Sequence, residues 1–519
     1  MLMIHLLELC GERLMINWGI CAGSHDASIA VVKDDTIVYA AHAERSSGIK
    51  NDPNLNSTII KEAREFGKPK KIIWYEDNLL KRTRQLWAKQ FKTAFTKPTP
   101  SNLLLEQGYT DFVEDGFHFE AEHVNLSSVK HHHAHAAAGY YTSPYRDAAI
   151  LIVDSIGEWE TLTIWKAEGT KMKRVFRQRY PHSLGIWYSA MTQRIGLKPN
   201  EDEYILMGMA ACGDPEKYKQ IIYNDFFFEL ERYDPYIKFK HNLHRGCRWW
   251  RPELNTIQDL ADIAAGTQAV YEMVFEHLIQ QTLTLVGSRN IVLGGGCALN
   301  CVANSIAHKY YDGNVWIVPN PGDAGNSLGA ILAKRGKFIE WTGPYLGHNI
   351  EGKYPVNGLL KELKESGIAG VANGRAEFGP RALGNRSLLA DPRGGDVKDR
   401  VNAVKRRQEF RPFAPVIMEE FADEYFEGPV GPYMQFVSKC KRPDLFPAIA
   451  HLDNTSRVQT VTEKQHRELY KLLLKWYNQT GCPMLLNTSL NIKGKPMVDT
   501  VADAEQWQNT YNIKVCTND

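Results

Sequence analysis

No stretch of the sequence strings together the roughly eighteen apolar residues that a membrane-crossing helix needs. Paired cysteines are missing too. The nine cysteines are odd in number, scattered, and never spaced Cys-x-x-Cys. That pattern indicates neither a zinc ribbon nor a disulfide framework, and it suits a reducing cytoplasm. Charge of one sign is not in excess. A net charge of +2 excludes a polyelectrolyte but leaves room for a local basic patch. Repeats and low-complexity tracts are absent. The leader Met1 to Leu9 is apolar but short, with no basic start or clear cleavage site, so it does not read as a secretory signal. Residues 1–14 read as an upstream extension, and Met15 opens a cleaner first strand. With 519 residues the chain exceeds one hydrophobic core and predicts two or three domains.

The most informative stretch present is His131-His132-His133-Ala134-His135, followed by Ala136-Ala137-Ala138-Gly139. The alanines favour a helix, and Gly139 with Pro144 predicts where it stops. Residues four apart share a helix face, so His131 and His135 point the same way and form half of a metal site. His132 and His133 point elsewhere. A solvated, histidine-rich helix start is the plainer alternative. Against it, the short apolar run Ala148 to Val153 reads as a buried strand that delivers Asp154 at its end, where open α/β sheets place their chemistry. Trp316 to Pro319 is another such strand. It runs into Pro321-Gly322-Asp323, and Asp323 is placed to complete a set of two imidazoles and two carboxylates.

Residues 16–42 read as three strands joined by tight turns. The small turn Ala22-Gly23-Ser24-His25-Asp26 leaves amides that suit an anion, although an ordinary meander gives the same pattern. Strand Asn290 to Leu293 enters Gly294-Gly295-Gly296-Cys297-Ala298-Leu299-Asn300, a strand–glycine–helix geometry that lets backbone approach a nucleotide. Further on, Phe378 to Ser387 holds Arg381 and Arg386 among glycine and proline. Lys405-Arg406-Arg407 and Arg411-Pro412-Phe413 follow. Guanidinium forks pair phosphate oxygens bidentately, so this series suits a polyphosphate clamp. Elsewhere no acid occurs between Asp77 and Glu106, while six basic residues lie between 81 and 97. A second basic and aromatic cluster spans His244 to Arg251. Such runs are usually solvated helix faces, with nucleic acid as the minority reading.

Taken together, these motifs resemble the NodU/CmcH family of O-carbamoyltransferases. The matches run in family order: His25-Asp26, Glu44-Arg45, His131-His132-x-Ala134-His135, Asp154, Ser183-Leu184-Gly185, Met207-Gly208, Gly294 to Asn300, Pro321-Gly322-Asp323, Phe378 to Ser387, Arg411 to Pro415 and Asn487-Thr488-Ser489. The resemblance implies an α/β chain with two domains. Residues 15–345 would form a TsaD-like, two-lobed domain of the actin and sugar-kinase type, and 346–519 a YrdC-like domain. It also implies a two-step activity. Carbamoyl phosphate and ATP, with Mg2+, give carbamoyl adenylate, and the carbamoyl group then passes to a hydroxyl beside a bound metal, usually iron.

Carried over by residue, the resemblance gives His131, His135, Asp154 and Asp323 to the metal, and His25 and Lys50 to the transfer centre. Gly294, Gly295, Gly296 and Asn300 would hold the adenylate. Arg381, Arg386, Lys405, Arg411 and Asn487 would bind carbamoyl phosphate and ATP. The mixed donor set suits Fe2+ or another divalent first-row ion and does not choose among them. One departure is Ile205, where members commonly carry lysine near the acceptor pocket. The acceptor itself is left open between a nucleotide or DNA base, such as a hydroxymethylpyrimidine, and a sugar or antibiotic-like hydroxyl. A tRNA threonylcarbamoyl enzyme shares both half-domains, but the domain order and the full motif set argue against it. A homodimer is compatible with this size.

Overall fold

The computed structural model describes residues 15–96, 125–406, 408, 411 and 413–519. The expected extension at 1–14, and Lys97, Arg407 and Pro412, lie outside the described residues. Two five-stranded sheets repeat one topology. In the first, β1 (Ile16–Cys21), β2 (Ser28–Lys33) and β3 (Thr36–His42) form an antiparallel meander, and β4 (Lys71–Trp74) and β5 (Asn125–Ser128) join β1 in parallel. In the second, β6 (Asp147–Val153), β7 (Glu160–Glu168) and β8 (Lys171–Arg179) form the meander, with β9 (Ile291–Gly294) and β10 (Val315–Ile317) parallel to β6. Strand β6 is buried on both faces from Ala148 onward, which explains its unbroken apolar run and fixes Asp154 at its exit.

Two helices join the lobes. His131–Thr142 leads from β5 into β6, and Asn326–Arg335 follows the loop after β10. Their close approach depends on glycine. A Cβ on Gly329 would lie 2.2 Å from the Ala134 carbonyl oxygen, and one on Gly19 of β1 would lie 1.8 Å from that of Ser327. Because the backbones touch, Asp323 is brought up to the histidine helix. Gly139, expected to stop that helix, lies inside it. A Cβ there would come within 2.5 Å of Val292 Cγ1, so this glycine admits β9, and the helix ends at extended Ser143, ahead of Pro144.

A third, six-stranded mixed sheet contains β12 (Ile368–Ala372), β14 (Arg386–Ala390), β15 (Ala414–Met418), β19 (Gln459–Val461), β20 (Met484–Ser489) and β21 (Val515–Cys516). Beside it lie the hairpin of β11 (Tyr345–Ile350) with β13 (Gly374–Glu377), and a small sheet of β16 (Phe426–Glu427), β17 (Ser438–Cys440) and β18 (Thr455–Ser456). Its core is separate, with Trp476 and Trp507 buried at the centre. It contacts both lobes. Arg375 donates to the Val38 carbonyl at 2.8 Å on the first lobe, and Gln435 donates to the Ile317 carbonyl at 2.9 Å on the second. Among the described residues no helix is long and apolar enough to cross a membrane.

Candidate metal centre and adjoining arginine cluster

His131 and His135 sit in the first two turns of their helix, at the end facing the sheet edges. Their Nε2 atoms are 3.0 Å apart. Asp154 Oδ2 lies 3.2 Å from His131 Nε2, and Asp323 Oδ1 lies 3.3 Å and 3.4 Å from the two imidazoles. One donor atom from each of the four residues fits within 4.8 Å of all the others. Two imidazole nitrogens this close can share only one proton, and two buried carboxylates face the same point. A divalent cation fits this donor set. Burial pushes both carboxyls up, but the imidazoles hold Asp154 and Asp323 below the usual carboxylate range.

The neighbouring histidines turn away, as their spacing requires. His132 meets Thr163 Oγ1 at 3.0 Å, and His133 stacks on Trp165. Burial and the His131 charge push His132 down to about 3, so it stays neutral. Glu158 was not singled out in the sequence, where Gly157-Glu158-Trp159 reads only as the start of a hairpin. Its Oε1 accepts from the His131 amide at 2.9 Å and from the Asp77 amide at 2.7 Å, pinning the helix start to the first lobe.

The glycine loop holds Asp154. Gly296 N donates to Asp154 Oδ1 at 3.0 Å, which leaves Oδ2 toward His131. Gly295 has φ 84°, and a Cβ there would lie 2.3 Å from the Val153 carbonyl oxygen. Gly294 ends β9 against Ile152. Asn300 caps the next helix and exchanges amide hydrogen bonds with Gln268. Ser183 donates to the Ser155 carbonyl at 2.7 Å, which accounts for the Ser-Leu-Gly motif behind Asp154.

His25 lies at the rim, half exposed. Its Nδ1 is 2.9 Å from Asp26 Oδ2, and its Nε2 is 3.6 Å from Asp323. Two of the five amides of its turn, those of Gly23 and Asp26, are already taken by a neighbouring strap. Gly23, Asp26 and Ala27 donate to the carbonyls of Pro53, Asn51 and Asp52. This strap places Lys50 nearby, with its ammonium 5.5 Å from the ring of Tyr204.

The same ring also meets the C-terminal unit, where the Arg411 guanidinium lies 4.6 Å from the Tyr204 centroid. Burial pulls Arg381 below its ordinary range, and the charges of Arg457 and Arg411 add to this, so three cations crowd one region. Arg457 carries no local motif. It sits between the two-residue β18 and β19, and only the tertiary fold reveals it. The Arg381 loop is shaped by Glu377, whose Oε1 accepts from the amides of Leu383, Asn385 and Arg386. It docks beside the His131–His135–Asp154–Asp323 cluster. A Cβ on Gly379 would lie 2.9 Å from the carbonyl oxygen of Pro319, four residues before Asp323, and Arg45 donates to the Gly379 carbonyl at 3.0 Å.

Residues 17–332 match the family profile described as Carbamoyltransferase N-terminus, and residues 360–517 match the Carbamoyltransferase C-terminus. The chain belongs to the carbamoyltransferase family. It is therefore an enzyme of carbamoyl transfer. It is 31% identical to an uncharacterized protein of Synechocystis sp., over 94% of this chain and 93% of the relative. It is 30% identical to Nodulation protein NolNO of Sinorhizobium fredii, over 92% and 76%. The solved structure of T. kodakarensis HypF aligns over 62% of this chain and 48% of that one, at 13% identity and a TM-score of 0.34.

The remaining expected ligand-binding residues of this carbamoyltransferase divide by what they touch. Asn487 donates to the Ala382 carbonyl and to Gln459, while its Oδ1 is buried and unpartnered. The Lys405 ammonium is held by Ser489 and Asn491. Arg386 is fully buried, and its guanidinium donates to the carbonyls of Asn373, Gly374, Asn385, His348 and Asp499. No donor is left for a phosphate, which corrects the expectation that Arg386 binds ligand. Arg386→Met should therefore destabilise the fold by about 3–5 kcal/mol, through carbonyls left unsatisfied. Thermal denaturation without ligand checks this. An unchanged melting temperature with lost ATP binding would return Arg386 to the binding site.

Proposed function

We propose that this carbamoyltransferase forms carbamoyl adenylate among Arg381, Arg411 and Arg457 of a YrdC-like C-terminal domain, and transfers the carbamoyl group to an acceptor hydroxyl at the His131–His135–Asp154–Asp323 centre. The contact between the Arg381 loop and the Asp323 loop carries this reading. Two dissimilar sites, one fit for polyphosphate and one for a cation, are held against each other by backbone.

In the first step water displaces inorganic phosphate from carbamoyl phosphate, the carbamate oxygen attacks the α-phosphorus of ATP, and pyrophosphate leaves. The crowded guanidiniums neutralise the oxygens of both phosphate donors, ATP arriving with Mg2+. In the second step the acceptor hydroxyl attacks the carbamoyl carbon and AMP departs. His25 is oriented by Asp26 through Nδ1 and is open to solvent, so it is suited to take the hydroxyl proton. Lys50 steadies the departing AMP from across Tyr204. A cation held by the four ligands, Fe2+ or a similar ion, would supply Lewis acidity toward a reacting oxygen.

Carbamoyl-phosphate-dependent exchange of labelled pyrophosphate into ATP tests the first step without any acceptor. Mass spectrometry for a carbamoyl increment across hydroxylated acceptors tests the second. Tyr204→Ala should raise the KM for carbamoyl phosphate about five-fold by releasing Arg411, while Tyr204→Phe, which keeps the ring face but loses the hydroxyl that Arg411 also meets, should fall between it and wild type. An unchanged KM in Tyr204→Ala would show that the ring does not hold Arg411.

A further inference from the structure

The two basic, aromatic segments that the carbamoyl chemistry leaves unused are brought together by the fold. Gln90 Nε2 and His244 Nε2 are 2.6 Å apart. Around this junction the rings of Trp159, Trp87, Tyr180 and His244 follow one another at centroid spacings of 5.8, 5.7 and 5.6 Å. Trp87 packs on Trp159 and Tyr180 in T-shaped fashion and is still 57% exposed. Arg245, Arg248 and Lys89 are exposed on the same two segments. Trp159 directly follows Glu158, whose carboxylate accepts from the His131 amide, so the ladder begins one residue from the group that pins the histidine helix.

We propose that this surface binds single-stranded nucleic acid, with phosphates on the arginines and lysine and a base stacked on Trp87. An exposed indole on segments that also expose arginine and lysine matches the alternation of base and phosphate, which a uniformly charged polyanion does not need. The proposal rests on the transfer reading only in making the bound strand a carrier of the acceptor hydroxyl. Fluorescence anisotropy with a labelled thymidine 20-mer on the full-length protein tests it. Binding should weaken with rising salt, and Trp87→Ala and the Arg245→Glu, Arg248→Glu double variant should each lower affinity about ten-fold or more. Pyrophosphate–ATP exchange should be unchanged in both variants, which separates this surface from the first step. The proposal is overturned if no binding occurs at low salt. It is also overturned if duplex DNA or heparin binds as tightly as the single strand, or if Trp87→Ala binds like wild type.

A second observation concerns the cation itself. Asn326 is fully buried, its Nδ2 lies 3.0 Å from His135 Nε2, and its Oδ1 has no partner. A cation on His135 Nε2 removes the lone pair that accepts this N–H. The geometry points to a rotation of the Asn326 amide that presents Oδ1 to the cation as a further ligand. Co2+ titration followed by visible absorption tests this. Asn326→Leu should bind Co2+ about ten-fold more weakly, with a shifted spectrum, while Asn326→Asp keeps the wild-type spectrum. Identical spectra and affinities in wild type and Asn326→Leu would overturn it, and thermal denaturation of each variant shows that it is folded.

Discussion

Arg381→Ala should lower carbamoyl-phosphate-dependent pyrophosphate–ATP exchange by about 10³-fold, the loss expected for a bidentate, charge-assisted contact to a reacting phosphate. The reason lies in how the ligand-free protein is built. Arg381 is half-buried beside Arg457 and Arg411, and like charges brought together with little water between them oppose folding. Only an anion relieves that repulsion. The same variant should therefore unfold at an equal or higher temperature than wild type when no nucleotide is present, a separation of stability from activity typical of strained sites. Arg381→Lys keeps the charge but not the fork and should recover only part of the exchange. If Arg381→Ala exchanges at the wild-type rate, adenylation does not occur at this cluster.

On the proposed two-site reading, His135→Ala should purify without the metal and lower transfer to the acceptor by about 10³-fold, leaving pyrophosphate–ATP exchange within about two-fold of wild type. His135 Nε2 lies 3.0 Å from His131 Nε2 and 3.4 Å from Asp323. Removing it takes away one ligand and leaves two buried carboxylates with one imidazole between them. The adjacent His132→Ala is the control. It loses the contact to Thr163 but no ligand, so it should keep its metal. Metal analysis of the two purified variants, beside the two half-reaction assays, checks all of this. Equal metal content in both would mean that the cation is not held here.

The parts of this site visible in the sequence were those with local periodicity. Two histidines one turn apart, an apolar run ending in Asp154, and a second strand exit bearing Asp323 each follow from helix or strand geometry. What stayed hidden depends on distant segments. The Gly23 and Asp26 amides of the His25 turn looked free because the 51–53 strap that takes them is remote in sequence. Arg381 and Arg386 are five residues apart in one glycine-rich stretch of sequence and read alike, yet Arg386 opens a strand and spends its guanidinium on main-chain carbonyls. Arg457, Tyr204 and Asn326 lie in no recognisable pattern, and their significance comes only from what the fold sets against them. Gly139 misled for the same reason, since its missing side chain serves β9 rather than a helix end.

The most direct test of the central claim is a paired assay on one preparation stripped of its first-row metal and returned to Mg2+. Two joined but distinct sites predict that carbamoyl-phosphate-dependent pyrophosphate–ATP exchange survives, while net AMP release in the presence of an acceptor falls by about 10²-fold or more and returns when the ion is restored. Loss of exchange together with the metal, or AMP release indifferent to it, would contradict the account.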